Sequence, residues 1–480
     1  MLCKLDAAFW NIAMTVETPP LYAHQKKTLA KLQEINTLWD MSDPGTGKTR
    51  VALRAFAGRR TNGGGRMLLV APKSLLLPAW GGDAEAFEPA LRIAFALAGG
   101  RERAFATGAD VVGINTDGVK WLVGAGSRGR GLALTREAAR LLRGFDTLAV
   151  DESSDFKHHA SQRSKAARVL SRLFEFRELL GATPAPNSVV ELWHQAFLLD
   201  GGASLGDSFY RFREQTQTPQ RVGMAAGAVQ WRDRPGIRGT VAPLIERLVV
   251  RHRFEDCLDI PPHAVRTVFW TPPPKLMRQC RELEATATLA LKSGTMTAAN
   301  AAVLRGKLLQ TASGAVYDGP DGAFEVLDRS RYELVADLVR EDPDPTVVFY
   351  SWKHQREELE AALAKASVPC AAMGAGMSPK ARQALVARFQ AGALRCLLLH
   401  PATGAHGLTL TAGRRTVLAS PFDRADWLVQ ARHRIWRAGQ SKRTETVLVQ
   451  ALGTVECRAY AALDGKTRNL ADLLGMLEET

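Results

Sequence analysis

The chain has 480 residues, 46% hydrophobic and 23% charged, a balance typical of a globular protein with room for roughly two to four domains. It contains no apolar run of about 18 residues and no apolar leader, which argues against a membrane protein or a membrane partner and favours a cytoplasmic one. The net charge of +14 suits a polyanionic partner such as nucleic acid, although a generally basic surface would give the same sum. The richness in Ala, Gly and Arg suggests a bacterial cell or a phage-infected host.

The first informative element in chain order is the tract WDMSDPGTGKTR at positions 39–50. Its core predicts a phosphate-binding loop made of Gly45, Thr46, Gly47, Lys48 and Thr49. Glycines let backbone N–H groups surround an anion, Lys48 can reach the outer phosphates, and the Thr49 hydroxyl can ligate Mg²⁺. A short apolar run precedes the loop and a helical pattern follows it, so we expect a site for ATP and Mg²⁺ at the start of that helix.

Two series of short apolar runs alternate with helical stretches along the chain. The first series occupies positions 66–72, 91–97, 109–115, 146–152 and 177–183. The second occupies positions 346–351, 368–373, 395–401, 415–421 and 445–452. Near-continuous apolar strands separated by helices indicate parallel sheets buried on both faces. The sequence therefore predicts an α/β fold with two parallel-sheet lobes.

The middle of the chain has a different pattern. Prolines interrupt positions 259–263 and 270–275, and positions 275–312 are helical in pattern. We therefore predict an N-terminal lobe over residues 1–245, a mainly helical connector over 246–328, and a C-terminal lobe over 329–480.

Asp151 and Glu152 directly follow the apolar strand at positions 146–152. Ligands gather at the carboxyl ends of strands in open α/β sheets, so we expect both carboxylates at the nucleotide site. Asp151 would hold Mg²⁺, and Glu152 would act as the general base toward the attacking water. An Asp-Glu pair after a strand is also common as a solvated turn.

The tract VQARHRIWRAGQSKR at positions 429–443 is rich in arginine. Arg434 and Arg437 are three residues apart, so they would share one face of a helix and could clamp a phosphate from the other lobe. Spacing alone favours a solvated basic helix or a direct DNA contact instead.

These elements together resemble the Swi/Snf-type branch of the superfamily two helicases, the ATPases that translocate on double-stranded DNA. The resemblance covers about residues 20–465, and its motifs occur in the family's order. They are the segments LYAHQKKTLAKL, DMSDPGTGKT, LLVAPKSLLLPAW, LLGATPAPNSVVELWHQAFLL, RHRFEDCLDIPPH, ATGAHGLTLTAGRR, QARHRIWRAGQSK and GTVECRAYAAL.

The resemblance implies two RecA-like lobes with ATP and Mg²⁺ in the cleft between them. It implies that Gln25 reads the adenine, that Gly407 belongs to a nucleotide-binding segment, and that Gln430 has a catalytic role. It also implies that Arg434 and Arg437 are arginine fingers.

The chain departs from the family at several positions. It has Asp-Glu-Ser-Ser where the family usually has Asp-Glu-Ala-His, so Ser153 and Ser154 replace a histidine that often relays the nucleotide state. We expect that coupling to pass through other residues, such as Thr183 or Gln430. Ser42 stands where the phosphate-loop pattern most often has glycine.

The sequence thus favours an ATP-dependent translocase on double-stranded DNA. Three alternatives remain open at this stage: a strand-separating DNA or RNA helicase, the motor subunit of a larger restriction or defence assembly, and a nucleic-acid-binding scaffold with an inactive ATP site. The presence of Lys48, Asp151, Glu152, Arg434 and Arg437 argues against the scaffold.

Overall fold

The computed structural model describes residues 18–126, 131–221, 229–291, 294–317, 322–374, 376–404 and 408–478. The strands of the first half are β1 Thr37–Asp40, β2 Arg66–Ala71, β3 Ile93–Ala96, β4 Val111–Asn115, β5 Val123–Ala125, β6 Leu132–Leu134, β7 Phe145–Asp151, β8 Phe176–Leu180, β9 Gln217–Arg221, β10 Val229–Asp233 and β11 Val249–Val250. The strands of the second half are β12 His263–Trp270, β13 Thr288–Leu291, β14 Gly294–Thr297, β15 Ala315–Tyr317, β16 Phe324–Val326, β17 Thr346–Phe349, β18 Cys370–Met373, β19 Cys396–Leu399, β20 Arg415–Leu418 and β21 Thr444–Ala451.

The α-helices alternate with these strands. Those of the first half are α1 Ala23–Glu34, α2 Lys48–Thr61, α3 Lys73–Leu75, α4 Gly82–Phe87, α5 Arg101–Ala106, α6 Arg136–Leu141, α7 Gln162–Ser171, α8 Val190–Asp200, α9 Phe209–Thr216, α10 Ile237–Ile245 and α11 Phe254–Cys257. Those of the second half are α12 Pro274–Thr286, α13 Ala301–Ala312, α14 Ser330–Glu341, α15 Lys353–Lys365, α16 Pro379–Gln390, α17 Pro401–Gly404, α18 Ala425–Arg432 and α19 Val455–Gly475. Among the described residues, every helix is too short or too polar to cross a bilayer.

Two parallel sheets organise the molecule and confirm the predicted α/β fold with two lobes. The first has the strand order β11-β1-β8-β7-β2-β4-β3, and the second has the order β12-β21-β20-β17-β19-β18. All neighbouring strands within each sheet run parallel. The ten apolar runs of the sequence each form a strand of these sheets.

Both faces of each sheet are buried, as the near-continuous apolar runs predict. Along β2, Leu68 and Val70 pack into one core, and Met67, Leu69 and Ala71 pack into the core on the other face. A strand with apolar side chains on alternate sides can bury all of them only when helices cover both faces of the sheet.

The region between the lobes contains strands that the sequence pattern did not reveal. β12 runs beside β21 at the edge of the second sheet, and β13 and β14 form a hairpin between two helices of the connector. Prolines flank β12 and its side chains are largely polar or exposed, so its composition resembles a loop.

Helix α19 connects the two lobes at the end of the chain. Its early residues Tyr460 and Leu463 pack into a core of the second lobe, whereas Leu470, Leu473 and Leu474 pack into the core of the first. The lobes are therefore joined by α19 as well as by the connector.

Candidate active site

The phosphate loop lies between β1 and α2, where a tight turn leads into the helix. Gly45 and Gly47 have φ angles of 90° and 82°, a left-handed conformation that favours glycine. A Cβ atom built on Gly47 would lie 2.3 Å from Nε2 of Gln25, so a larger residue there would displace the Gln25 side chain. The Lys48 ammonium donates to the backbone oxygens of Ser42 at 2.7 Å and Asp43 at 3.0 Å. The lysine side chain thus links the end of the loop to the residues at its start.

Helix α1 contacts the same loop through two side chains. Gln25 donates from Nε2 to the Thr46 carbonyl at 3.1 Å, and a ring nitrogen of His24 lies 2.8 Å from the same oxygen. The Gln25 side chain also accepts from the Tyr22 amide at 3.0 Å. These contacts bring Gln25 to the phosphate loop.

Residues 251–254 bind the first part of the loop, which sequence reasoning did not anticipate. The Asp43 carboxylate forms an ion pair with Arg251 at 2.8 Å and accepts from the Phe254 amide at 3.0 Å. The Ser42 hydroxyl accepts from the His252 amide at 3.1 Å. Ser42, which departs from the common glycine, therefore has a bonding role that glycine could not fill.

The Asp151 carboxylate lies at the end of β7 and is buried. It accepts from the indole N–H of Trp80 at 2.9 Å and from the backbone amide of Glu152 at 2.9 Å. Burial, and secondly the charge of Glu152, raise the pKa of Asp151 to about 6, although Lys48 opposes the shift. A buried carboxylate beside a second carboxylate is stabilised by a bound cation, so this pair fits a Mg²⁺ site.

Glu152 contacts the second lobe directly. The Gln430 side chain donates from Nε2 to Oε1 of Glu152 at 3.1 Å. Glu152 has a φ angle of 53°, which is unusual for a residue with a side chain. This contact brings residues from distant parts of the chain to one crevice.

Arg434 and Arg437 bind the same acceptor, but they do not lie on one face of a helix. Both guanidinium groups donate to the Leu408 carbonyl, at 3.2 Å and 3.0 Å. The predicted helix is wrong here because α18 ends at Arg432 and the Arg434 carbonyl accepts from the Leu410 amide at 2.9 Å instead. The two side chains meet because a turn follows α18.

The arginine pair places positive charge beside the phosphate loop, with Arg434 buried and Arg437 partly exposed. A Cβ atom built on Gly45 would lie 3.5 Å from Cβ of Arg437. Burial, and secondly repulsion by Arg437, lower the pKa of Arg434 to about 9, which leaves it cationic at neutral pH. Burial also lowers the pKa of Arg437 and raises the pKa of the nearby Asp83 to about 6. Two guanidiniums close together fit an anionic ligand.

The structure says little about two other predicted site residues, Thr49 and Gly407. Thr49 lies in the first turn of α2, one residue after Lys48. Gly407 lies outside the described residues.

Ser153 and Gln195 form a contact that sequence reasoning missed. The Ser153 hydroxyl donates to Oε1 of Gln195 at 2.7 Å, and Nε2 of Gln195 donates to the Pro184 carbonyl at 2.8 Å. These bonds join the segment after Glu152 to the segment that contains the buried Thr183.

Family models match both lobes. The model described as "SNF2-related domain" matches residues 27–305, and "Helicase conserved C-terminal domain" matches residues 330–439. "Putative protein p41" of Acyrthosiphon pisum secondary endosymbiont phage 1 is 28% identical over 280 residues, which cover 56% of this chain and 57% of that protein.

"SWI/SNF-related matrix-associated actin-dependent regulator of chromatin subfamily A-like protein 1" of Xenopus tropicalis is 23% identical over 335 residues, which cover 68% of this chain and 33% of that protein. The chain thus spans about half the length of the phage relative and a third of the frog relative. A solved structure titled "Sulfolobus solfataricus SWI2/SNF2 ATPase core in complex with dsDNA" has a TM-score of 0.42 and 17% identity, and the match covers 96% of this chain and 97% of that one.

Proposed function

This chain belongs to the SNF2-related family of superfamily two helicases, so it is a nucleic-acid-dependent ATPase, and we propose that it translocates on double-stranded DNA. In this proposal the chain is a motor that moves along duplex DNA and remodels the duplex, reanneals its strands or displaces bound protein. The observation that carries the proposal is the hydrogen bond between Gln430 of the second lobe and Glu152 of the first.

In this proposal the first lobe binds the nucleotide. Gln25 contacts the adenine, and the phosphates bind the loop of Gly45, Thr46 and Gly47 together with the amino group of Lys48. The Lys48 ammonium exchanges its bonds to the Ser42 and Asp43 carbonyls for bonds to phosphate, which opens the loop.

Asp151 and Thr49 would hold the metal in the same pocket. Bound Mg²⁺ would neutralise phosphate charge there. Trp80 fixes the Asp151 carboxylate by its indole N–H, so the carboxylate keeps its orientation in the absence of metal. We also propose that Gly407 belongs to a nucleotide-binding segment.

Glu152 acts as the general base, and Gln430 positions its carboxylate from the other lobe. Arg434 and Arg437 leave their shared acceptor, the Leu408 carbonyl, and bind the γ-phosphate as negative charge develops there. Because these four residues come from both lobes, hydrolysis depends on the lobes being close together. Opening and closing of the crevice would move the lobes along a DNA strand.

The proposed division into a lobe of residues 1–245, a connector of 246–328 and a lobe of 329–480 belongs to the same proposal. We also propose that the protein acts in the cytoplasm of a bacterial or phage-infected cell, and its similarity to a phage protein supports this location.

ATP turnover with no nucleic acid, duplex DNA, single-stranded DNA and RNA tests the substrate of the motor. Strong stimulation by duplex DNA, with displacement of a third strand from a triplex in the presence of ATP, is the expected result. The variant Lys48→Ala serves as the inactive control. Preferential stimulation by RNA, or unwinding of tailed duplexes without triplex displacement, would contradict the proposal and favour a strand-separating helicase.

A further inference from the structure

A second surface outside the crevice combines an exposed tyrosine ring and a half-buried tryptophan ring with arginines. It is formed by α9 and by the hairpin of β9 and β10, and we name it the hairpin surface; its members are Tyr210, Arg213, Arg221, Val229 and Trp231. We propose that the hairpin surface binds single-stranded nucleic acid through its unpaired bases and their phosphates. The proposal rests on the chain's being a nucleic-acid-dependent ATPase and is independent of translocation along duplex DNA.

The aromatic part of the surface packs against a stacked pair of rings in the first lobe. His159 stacks on Phe209 with 3.6 Å between ring centroids. The next residue, Tyr210, is 60% exposed, and the Arg213 guanidinium lies 5.4 Å from its ring centroid. Arg213 also lies 4.2 Å from the ring centroid of Trp231. Tyr210 therefore presents an accessible ring next to a cation, the arrangement on which unpaired bases stack.

The hairpin extends this surface on one face. In its antiparallel register Arg221 lies opposite Val229, and Pro219 lies opposite Trp231. Opposite residues of paired strands project to the same side, so Arg221, Val229 and Trp231 share a face. Arg221 is exposed and Val229 is 46% exposed. An exposed face with both apolar area and positive charge suits nucleotides better than a purely ionic patch does.

The charges around the surface favour a polyanion. Between positions 207 and 238 the described residues include six arginines, namely Arg211, Arg213, Arg221, Arg232, Arg234 and Arg238. The acidic residues in the same stretch are Asp207, Glu214 and Asp233. Lys165 and Arg168 add positive charge near His159, since both, like Arg213, lower its pKa after the larger effect of burial. The excess of cations is what phosphate contacts require.

Asp233 projects to the same side of the hairpin as Val229 and Trp231, but its carboxylate is occupied in anchoring the hairpin to the first lobe. Its carboxylate accepts from the Ser188 hydroxyl, from the Val189 amide at 3.0 Å and from the Gln217 side chain at 3.0 Å. Next to this anchor, Glu191 accepts from the Asn187 side chain at 2.8 Å and pairs with Lys157 at 3.1 Å. The hairpin is thus held to the segment that follows Glu152, and a strand bound there lies in a fixed position relative to the crevice.

Binding of a fluorescent 20-nucleotide oligo-dT to the full chain, without nucleotide and at constant salt, tests the proposal. We expect Tyr210→Ala to weaken this binding about 10-fold, because one base loses its stacking partner. The matched control is Phe269→Ala, since Phe269 is 59% exposed on the edge strand β12, and it should change binding less than about twofold. Arg221→Ala should weaken binding about threefold and make it less salt-dependent.

The same variants measured on a 20-base-pair duplex separate base stacking from general charge. Tyr210→Ala should leave duplex binding and duplex-stimulated ATP turnover within about twofold of the parent. Parental affinity of Tyr210→Ala for oligo-dT, or equal weakening for oligo-dT and duplex, would overturn the proposal. Thermal melting of each variant checks its fold. A parent that hydrolyses ATP without stimulation by duplex DNA would refute the translocase proposal, whereas the oligo-dT titration would still decide the role of the hairpin surface.

Discussion

At the residue scale, Glu152 carries the strongest prediction of the site. Its carboxylate accepts from Gln430 at 3.1 Å, and glutamine at position 152 retains an oxygen that can accept this bond. Glu152→Gln should therefore keep the contact between the lobes but lose the base. We expect the turnover number for ATP to fall about 10²- to 10⁴-fold with nucleotide affinity within a few-fold of the parent, measured by steady-state hydrolysis and fluorescent-nucleotide titration. Loss of affinity without loss of turnover would show that Glu152 binds the ligand rather than the water.

The residue types of the site could be read from the sequence, but their partners could not. Lys48, Asp151 and Glu152 stand in short motifs whose chemistry depends on local geometry, and the local geometry follows from a strand, a turn and a helix. The bond from Trp80 to Asp151, for example, spans 71 positions. Arg251, which pairs with Asp43, is more distant still. Such contacts depend on how the whole lobe packs.

Asp83 provides a test of the charge balance around Arg437. Burial raises the pKa of Asp83 to about 6 from its ordinary value of 3.8, and the opposing charges of Arg437 and Arg50 are too weak to reverse the shift. A carboxyl group with a raised pKa in the folded state stabilises the fold below about pH 4, and that stability is lost as the pH rises through about 6.

Asp83→Asn removes this titration. The melting temperature of the variant minus that of the parent should therefore increase between pH 4 and pH 7, in buffers without nucleotide. A difference that stays constant across this range, or that decreases, would contradict the burial of the Asp83 charge.

At the element scale, regular strands were predictable and irregular ones were not. The core strands β2, β7 and β17 are runs of apolar residues, and burial on both faces produces that pattern. β12 lies at a sheet edge with half of its residues exposed, so no hydrophobic period marks it. The turn that carries the arginine pair was predicted as helix because spacing alone cannot register the competing bond from the Leu410 amide.

The start of α19 is fixed by a buried ion pair. Arg331 and Glu456 are both inaccessible to solvent and are joined by two hydrogen bonds, at 2.6 Å and 2.9 Å. Arg331 also donates to the Val449 carbonyl at 3.0 Å, and Glu456 accepts from the Ala451 amide at 2.8 Å. The pair therefore links α14, β21 and α19 inside the second lobe.

Glu456→Ala should destabilise the second lobe by about 3–5 kcal/mol, because it leaves the Arg331 charge buried without a partner. The shift of the urea unfolding transition measures the loss. The exposed pair of Arg458 and Glu284 gives a control, and Glu284→Ala should shift the unfolding transition much less than Glu456→Ala does. The double change Arg331→Met with Glu456→Leu should recover most of the loss, and failure to recover would mean that the pair does more than satisfy two charges.

At the scale of the whole molecule, the crevice depends on two connections between the lobes. The connector after residue 250 binds the phosphate loop through Arg251 and Phe254 as it leaves the first lobe. Helix α19 returns from the second lobe and packs Leu470 and Leu473 into the core of the first. These two connections hold the arginine pair beside the phosphate loop.

The variant Arg434→Ala tests whether ATP hydrolysis depends on the second lobe lying close to the first. It belongs to the second lobe, 94% of its surface is buried, and it lies with Arg437 on one carbonyl acceptor beside the crevice. If it stabilises charge on the γ-phosphate only in the transition state, Arg434→Ala should reduce DNA-stimulated ATP turnover about 10³-fold or more and change nucleotide affinity only a few-fold. Arg443→Ala is the matched control, because Arg443 is exposed in the same tract and should retain parental turnover. Single-turnover hydrolysis with a parallel nucleotide titration distinguishes the two effects, and parental turnover by Arg434→Ala would remove the second lobe from the catalytic site.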